Sequence, residues 1–178
     1  MFIEETEQQV RIWLRLAHEA YGERLVLRSL QYFHRALDYA ESKQLNREVA
    51  VICRDLGYVY AREGSTSRAL MVLDQGLAVT DMTLPIRVGI LFNKASVLVK
   101  LGVYGEALVL LENSSQIIRS HYPDFSKAPG QIVHSYAAIA QMEGDLRKLV
   151  ELLDMGISAE RIQVEVRSQK PPWLRQGN

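Results

Sequence analysis

A unit of two amphipathic helices meeting at a glycine recurs about every 40 residues, and it constrains the fold more than any other feature of the chain. Gly64, Gly102 and Gly144 each close the first helix of such a unit and stand 38 and 42 residues apart. Five residues after each comes Ala69, Ala107 or Leu149, and four further on Leu73, Leu111 or Leu153. Seven residues before each sits a small residue, Gly57, Ala95 or Ala137. The first pair enters the same frame with Ala17, Ser29, Phe33 and Ala36. A small residue lets two helix backbones approach to the short end of the usual interaxial range, and the large Leu or Phe fills the space towards the next pair. One pair cannot bury both of its faces, so the copies must stack.

The helices themselves are written in apolar stripes. Val10, Trp13, Leu14, Ala17 and Ala20–Tyr21 recur at intervals of three and four, as do Leu25, Leu27, Leu30, Phe33, Ala36, Leu37 and Ala40. Tyr21-Gly22-Glu23 separates the two and supplies a glycine where the first helix should stop. Pro85 and Pro129 suit the first turns of later helices, where a missing N–H costs nothing. No Val/Ile/Thr-rich run between turns argues for a sheet. The expected fold is therefore all-α: an α-solenoid of four antiparallel helix pairs at about 7–43, 47–80, 85–121 and 129–156. The segment 158–168 has two readings. Ile162, Val164 and Val166 alternate with polar residues as in a strand, whereas Ser158 suits the cap of a helix with Ala159, Ile162 and Val166 on one stripe. An open solenoid end needs a cover, which favours a C-terminal capping helix. Residues 1–168 then form one repeat domain, and 169–178, with Pro171-Pro172, a disordered tail.

Trp13-x-x-Leu16-Ala17-x-x-Ala20 followed by Ser29, Phe33 and Ala36, and Leu56-Gly57-x-x-Tyr60 followed by Ala69, Leu73 and Gly76, resemble the tetratricopeptide repeat family. The resemblance extends over roughly residues 7–156, with Lys94 where the family prefers an apolar side chain and Leu149 where it prefers alanine. The family's repeat is commonly about 34 residues, so the longer spacing is similar to its long-helix variants. The resemblance implies a groove, lined by the first helix of each pair, that binds an extended peptide or a partner's helix. It would carry Arg11, Leu14, Arg15 and His18 from the first pair, and Arg54, Asp55, Tyr58 and Arg62 from the second. Phe92, Asn93, Ser96 and Lys100 would follow from the third, and Gln131, His134 and Ser135 from the fourth. Its cations Arg11, Arg15, Arg54, Arg62 and Lys100 face the single acid Asp55, which suits an acidic peptide, a carboxylate stripe or a free C-terminus. Some family members hold acidic chaperone C-termini in a clamp of lysines, asparagines and an arginine. Leu14, His18 and Asp55 occupy clamp positions here and exclude that chemistry.

Composition narrows the function further. The 178 residues carry 21 basic and 21 acidic side chains, which leaves no electrostatic footprint for nucleic acid. An apolar share of 48% is too high for disorder, yet no stretch is long and apolar enough for a membrane span. The start, MFIEETEQQ, has no basic region ahead of its apolar stretch, so no secretory signal is expected and a cytoplasmic location follows. The lone Cys53 excludes an intramolecular disulfide and a cysteine zinc cluster, and its slot faces the helix pair as a small apolar residue. His18, His34, His121 and His134 belong to no metal or catalytic motif, although His34 and Asp38 are spaced to pair on one helix. Gly102-x-x-Gly105 follows a helix and lacks the Lys-Ser/Thr of a phosphate loop. Tyr122 and Phe125, in the longest break between helices, are expected to fold back on the solenoid edge. No enzyme activity and no cofactor are expected. The leading expectation is a protein-interaction scaffold that takes a protein or peptide partner, and not nucleic acid or membrane. A peptide-sensing regulator acting through a partner and a homo-oligomer stacked end to end are the alternatives.

Overall fold

The structure, a computed structural model, describes residues 2–154. Among them are seven α-helices and no strand: α1 Phe2–Gly22, α2 Val26–Ser42, α3 Asn46–Arg62, α4 Thr66–Ala78, α5 Leu84–Lys100, α6 Tyr104–His121 and α7 Gly130–Asp154, with a 3-10 turn at Phe125–Lys127. The expected cap at 158–168 and tail at 169–178 lie outside the described residues. Neighbours pack in pairs, α1 on α2, α3 on α4 and α5 on α6. Contacts of α2 with α3, α4 with α5 and α6 with α7 join each pair to the next. The odd-numbered helices also touch in order, α1 to α3, α3 to α5 and α5 to α7, and so make one continuous layer.

One turn geometry closes α1, α2, α3 and α5. Arg24, Gln44, Gly64 and Gly102 take left-handed φ values of 61°, 56°, 78° and 76°. The N–H of the next residue then returns to the carbonyl five positions back: Leu25 to Ala20, Leu45 to Ala40, Ser65 to Tyr60 and Val103 to Leu98, all at 2.8–2.9 Å. The carbonyls of Leu25, Leu45, Ser65 and Val103 in turn accept from Ser29, Val49, Ala69 and Ala107, opening the following helix. A single residue thus ends one helix and starts the next, and none of the four uses a side-chain cap. Gly22, where the sequence suggests a stop, is the last helical residue of α1, and the left-handed position belongs to Arg24.

The expected break at Gly144 is absent. α7 runs unbroken through it, and Gly144 has no left-handed φ. Ile132, Ile139 and Leu146 are buried at seven-residue spacing, so one apolar face continues on both sides of the glycine. A glycine inside a helix costs about 1 kcal/mol relative to alanine, much less than the loss of a core-facing turn. α7 therefore occupies the place of the first helix of a fourth pair, and the described residues contain three pairs plus one helix, not four pairs.

The core falls into two clusters that share α5. Ile86, Ile90 and Val97 join the residues of α1–α4, whereas Val88, Ala95 and Leu98 join those of α6 and α7. The small residue Gly57 serves its own pair, since Leu73 of α4 packs directly over it. Gly76 is where α4 closes on two neighbours, since a Cβ there would stand 2.9 Å from Cys53 Cβ and 3.0 Å from Ile90 Cδ1. Cys53 is wholly buried, and burial, with Glu41 nearby, pushes its thiol up to about 12. Lys94 pairs with Asp74 on α4. His34 lies 2.7 Å from the Tyr60 hydroxyl, across the α2–α3 boundary, and is not paired with Asp38. Tyr122 and Phe125 pack on the second cluster, with the Phe125 ring 4.7 Å from Tyr136. No helix among the described residues is long and apolar enough to cross a membrane.

Candidate functional site

Side chains spaced by three and four residues share a helix face, and each odd-numbered helix turns one such face to a common cleft of about 510 Å³. α1 contributes His18 and Tyr21, and α3 contributes Arg54, Asp55, Tyr58 and Val59. α5 contributes Pro85, Val88, Gly89, Phe92 and Asn93 of its first three turns, and α7 contributes Gln131, His134, Ser135 and Ala138.

Asp55 is the centre of the polar part. Its Oδ1 accepts from Arg54 Nε at 2.7 Å, and its Oδ2 lies 3.1 Å from His18 Nε2, which ties α1 to α3. Burial pushes the Asp55 carboxyl up, but hydrogen bonds and charge from His18 and Arg54 outweigh it and hold the group below the usual carboxylate range. Asn93 Nδ2 donates to the Arg54 carbonyl at 3.1 Å, which ties α5 to α3. Gly89 provides the recess for the Arg54 stem, because a Cβ there would come within 2.8 Å of Arg54 Cδ. On the α7 wall, His134 Nδ1 donates to the Gly130 carbonyl at 2.6 Å. Tyr21 and Tyr58 meet edge to face at 6.4 Å, and with Phe92 they form the aromatic part of the lining.

Of the residues expected in the groove, His18, Arg54, Asp55, Tyr58, Phe92, Asn93, Gln131, His134 and Ser135 line this cleft. Arg11, Leu14, Arg15, Arg62, Ser96 and Lys100 do not. Arg11 pairs with Glu7 at 3.2 Å, and Arg15 stands 4.0 Å from Glu19, both along α1. Leu14 packs on the first core cluster. The Tyr21 hydroxyl donates to Glu63 Oε1 at 3.3 Å, and Arg62 lies beside it. Ser96 donates to the Phe92 carbonyl at 2.9 Å, and Lys100 Nζ donates to the Ala61 carbonyl at 2.6 Å. The expected surplus of five cations over one acid is thus not gathered: among the lining side chains Arg54 is the one permanent cation, and Asp55 faces it.

Tyr21, Val59, Pro85, Val88, Gly89 and Ala138 line the cleft without having been expected there. The signal was present in the spacing. Tyr21 is three residues beyond His18, Ala138 is four beyond His134, and Gly89 and Pro85 extend the α5 face one and two turns before Phe92. Among the described residues no three His, Cys, Asp or Glu side chains converge as a metal site would require. The arrangement offers guanidinium and amide donors beside an aromatic surface, a combination suited to recognition. No protein-family model matches the chain, and no curated protein or solved structure matches it.

Proposed function

We propose that the chain is a non-catalytic protein-interaction scaffold of the tetratricopeptide type: a right-handed, cytoplasmic helical stack that takes a partner's peptide or helix in the cleft between α1, α3, α5 and α7. The observation that supports this reading is the convergence of the four odd-numbered helices on one cleft whose volume, about 510 Å³, falls in the range typical of ligand sites. Tyr58 is 46% exposed within it, an aromatic held against water by the fold and available to bury on contact.

Panning a phage-displayed dodecapeptide library on the protein tests the reading. Enriched peptides should lose at least about tenfold in affinity on Tyr58→Asp, as removal of an aromatic anchor at a binding site does. Binding should persist on Met71→Asp, which alters an exposed residue of α4 outside the cleft. Circular dichroism checks that both variants stay helical. Absence of enrichment, or equal binding by the two variants, overturns the scaffold reading.

A further inference from the structure

We propose that the cleft selects a carboxylate-bearing peptide segment, with the carboxylate held by the two Nη groups of Arg54 and a neighbouring apolar side chain lying on Tyr58 and Phe92. This rests on the cleft being the binding site.

The guanidinium is fixed before any ligand arrives. Its Nε is bonded to Asp55 Oδ1 at 2.7 Å, its stem lies in the Gly89 recess, and its own backbone carbonyl is held by Asn93. Arginine has five N–H donors, of which one sits on Nε. Among the described residues the Nη groups have no hydrogen-bond partner, and the side chain keeps 26% of its surface exposed in the cleft. A carboxylate matches the planar fork of such a group and can take two parallel bonds from it. Most of the ordering such a contact requires is already in place.

Asp55 does not cancel this preference. It is less exposed than Arg54, at 14%, and each of its oxygens already faces a partner, Arg54 Nε on one side and His18 Nε2 on the other. Asp55 is therefore answered within the protein by two groups, and the Nη groups of Arg54 are left for a ligand. No second acid lines the cleft, and Glu63 at its margin accepts from the Tyr21 hydroxyl. Gln131 on α7 adds a neutral amide to the lining. An amine in this position would meet the guanidinium instead, so the arrangement discriminates by sign as well as by shape.

The probes are fluorescein-labelled, C-terminally amidated octapeptide pools with Glu, Gln or Lys fixed next to a central Leu and only uncharged residues elsewhere, read by anisotropy. On the wild type the Glu pool should bind about tenfold tighter than the Gln pool, the scale of a charge-assisted hydrogen-bond pair. Arg54→Met, which keeps a stem for the Gly89 recess, should erase that difference. Arg11→Met, a cation outside the cleft that pairs with Glu7 along α1, should leave it intact. If Arg54→Met loses helicity, Arg54→Lys replaces it and should narrow the Glu–Gln gap by removing the planar fork. Equal binding of Glu and Gln pools, or a preference for Lys, overturns carboxylate selection while leaving peptide capture standing. No binding by any pool sinks both.

Discussion

Leu73 fills the space that a side chain at Gly57 would need: a Cβ on Gly57 would lie 2.5 Å from Leu73 Cδ2 and 2.6 Å from Leu73 Cγ. Leu73 is wholly buried, so it cannot retreat into solvent. Gly57→Ala should therefore destabilise the protein by about 1–2 kcal/mol, the overpacking cost less the gain in helix propensity. Gly144→Ala should do the reverse. Nothing lies within 4 Å of a Cβ there, and the residue is interior to α7, so stability should rise by up to about 1 kcal/mol. Urea unfolding of the two variants measures both signs, and a destabilised Gly144→Ala would mean that α7 is broken at this point.

Ser29 carries a buried hydroxyl with no hydrogen-bond partner. It stands in the frame position that Ala69 and Ala107 fill in the second and third pairs, both likewise wholly buried. The repeat thus names its own replacement. Ser29→Ala should stabilise the protein by about 1 kcal/mol, since an unsatisfied buried polar group is removed and no contact of consequence is lost. A higher urea midpoint at unchanged slope is the expected reading, and a lower midpoint would show that the hydroxyl is satisfied.

The parts of this fold that were legible in the sequence are those written as spacing. The small-residue frame locates Gly57 and Ala95, and the apolar stripes locate α2 to α6 to within a residue or two. Turns were legible only where the left-handed residue is glycine. Arg24 and Gln44 take the same conformation at 20-residue intervals from Gly64 without announcing it, and Leu25, Leu45 and Val103 begin helices with no capping side chain. Gly144 misleads for the opposite reason. Glycine permits a turn without imposing one, and the buried row Ile132, Ile139 and Leu146 decides for a helix. In the cleft, the groove face implied by the resemblance includes nine of the lining residues, but nothing in it says how far along the axis the cleft extends. Arg11, Arg62 and Lys100 therefore fall beyond it and meet Glu7, Tyr21 and the Ala61 carbonyl.

The Asp55 network makes stability depend on pH at the acid end. The folded-state carboxyl lies below its ordinary value, because the His18 and Arg54 bonds overcome the effect of burial. The unfolded chain binds the proton near the ordinary aspartate value of about 3.9. A depressed carboxylate contributes stability above that value and loses it as pH falls through the folded-state pKa. The difference in urea midpoint between wild type and Asp55→Asn should accordingly shrink as pH is lowered below about 4, the range set by the reference carboxylate. A difference that stays constant down to strongly acid pH would show that Asp55 is not ionised against His18 and Arg54 in the folded protein.

Cys53 gives the complementary dependence at the alkaline end. Its thiol is wholly buried where α3 meets Gly76 of α4, and burial raises it from 9.0 to about 12. A raised acid of this kind favours the folded state fully below the unfolded-state pKa. The advantage is lost as pH climbs from about 9 towards 12, because the unfolded chain releases the proton first. Thiolate is the reactive form, so the folded protein should resist a chromogenic disulfide reagent and react only through opening of the α3–α4 pair. The labelling rate should rise with urea in parallel with unfolding, and Gly57→Ala, which loosens the same pair, should accelerate it. Fast labelling in the absence of denaturant would place the thiol at the surface and contradict the packing of α4 on α3.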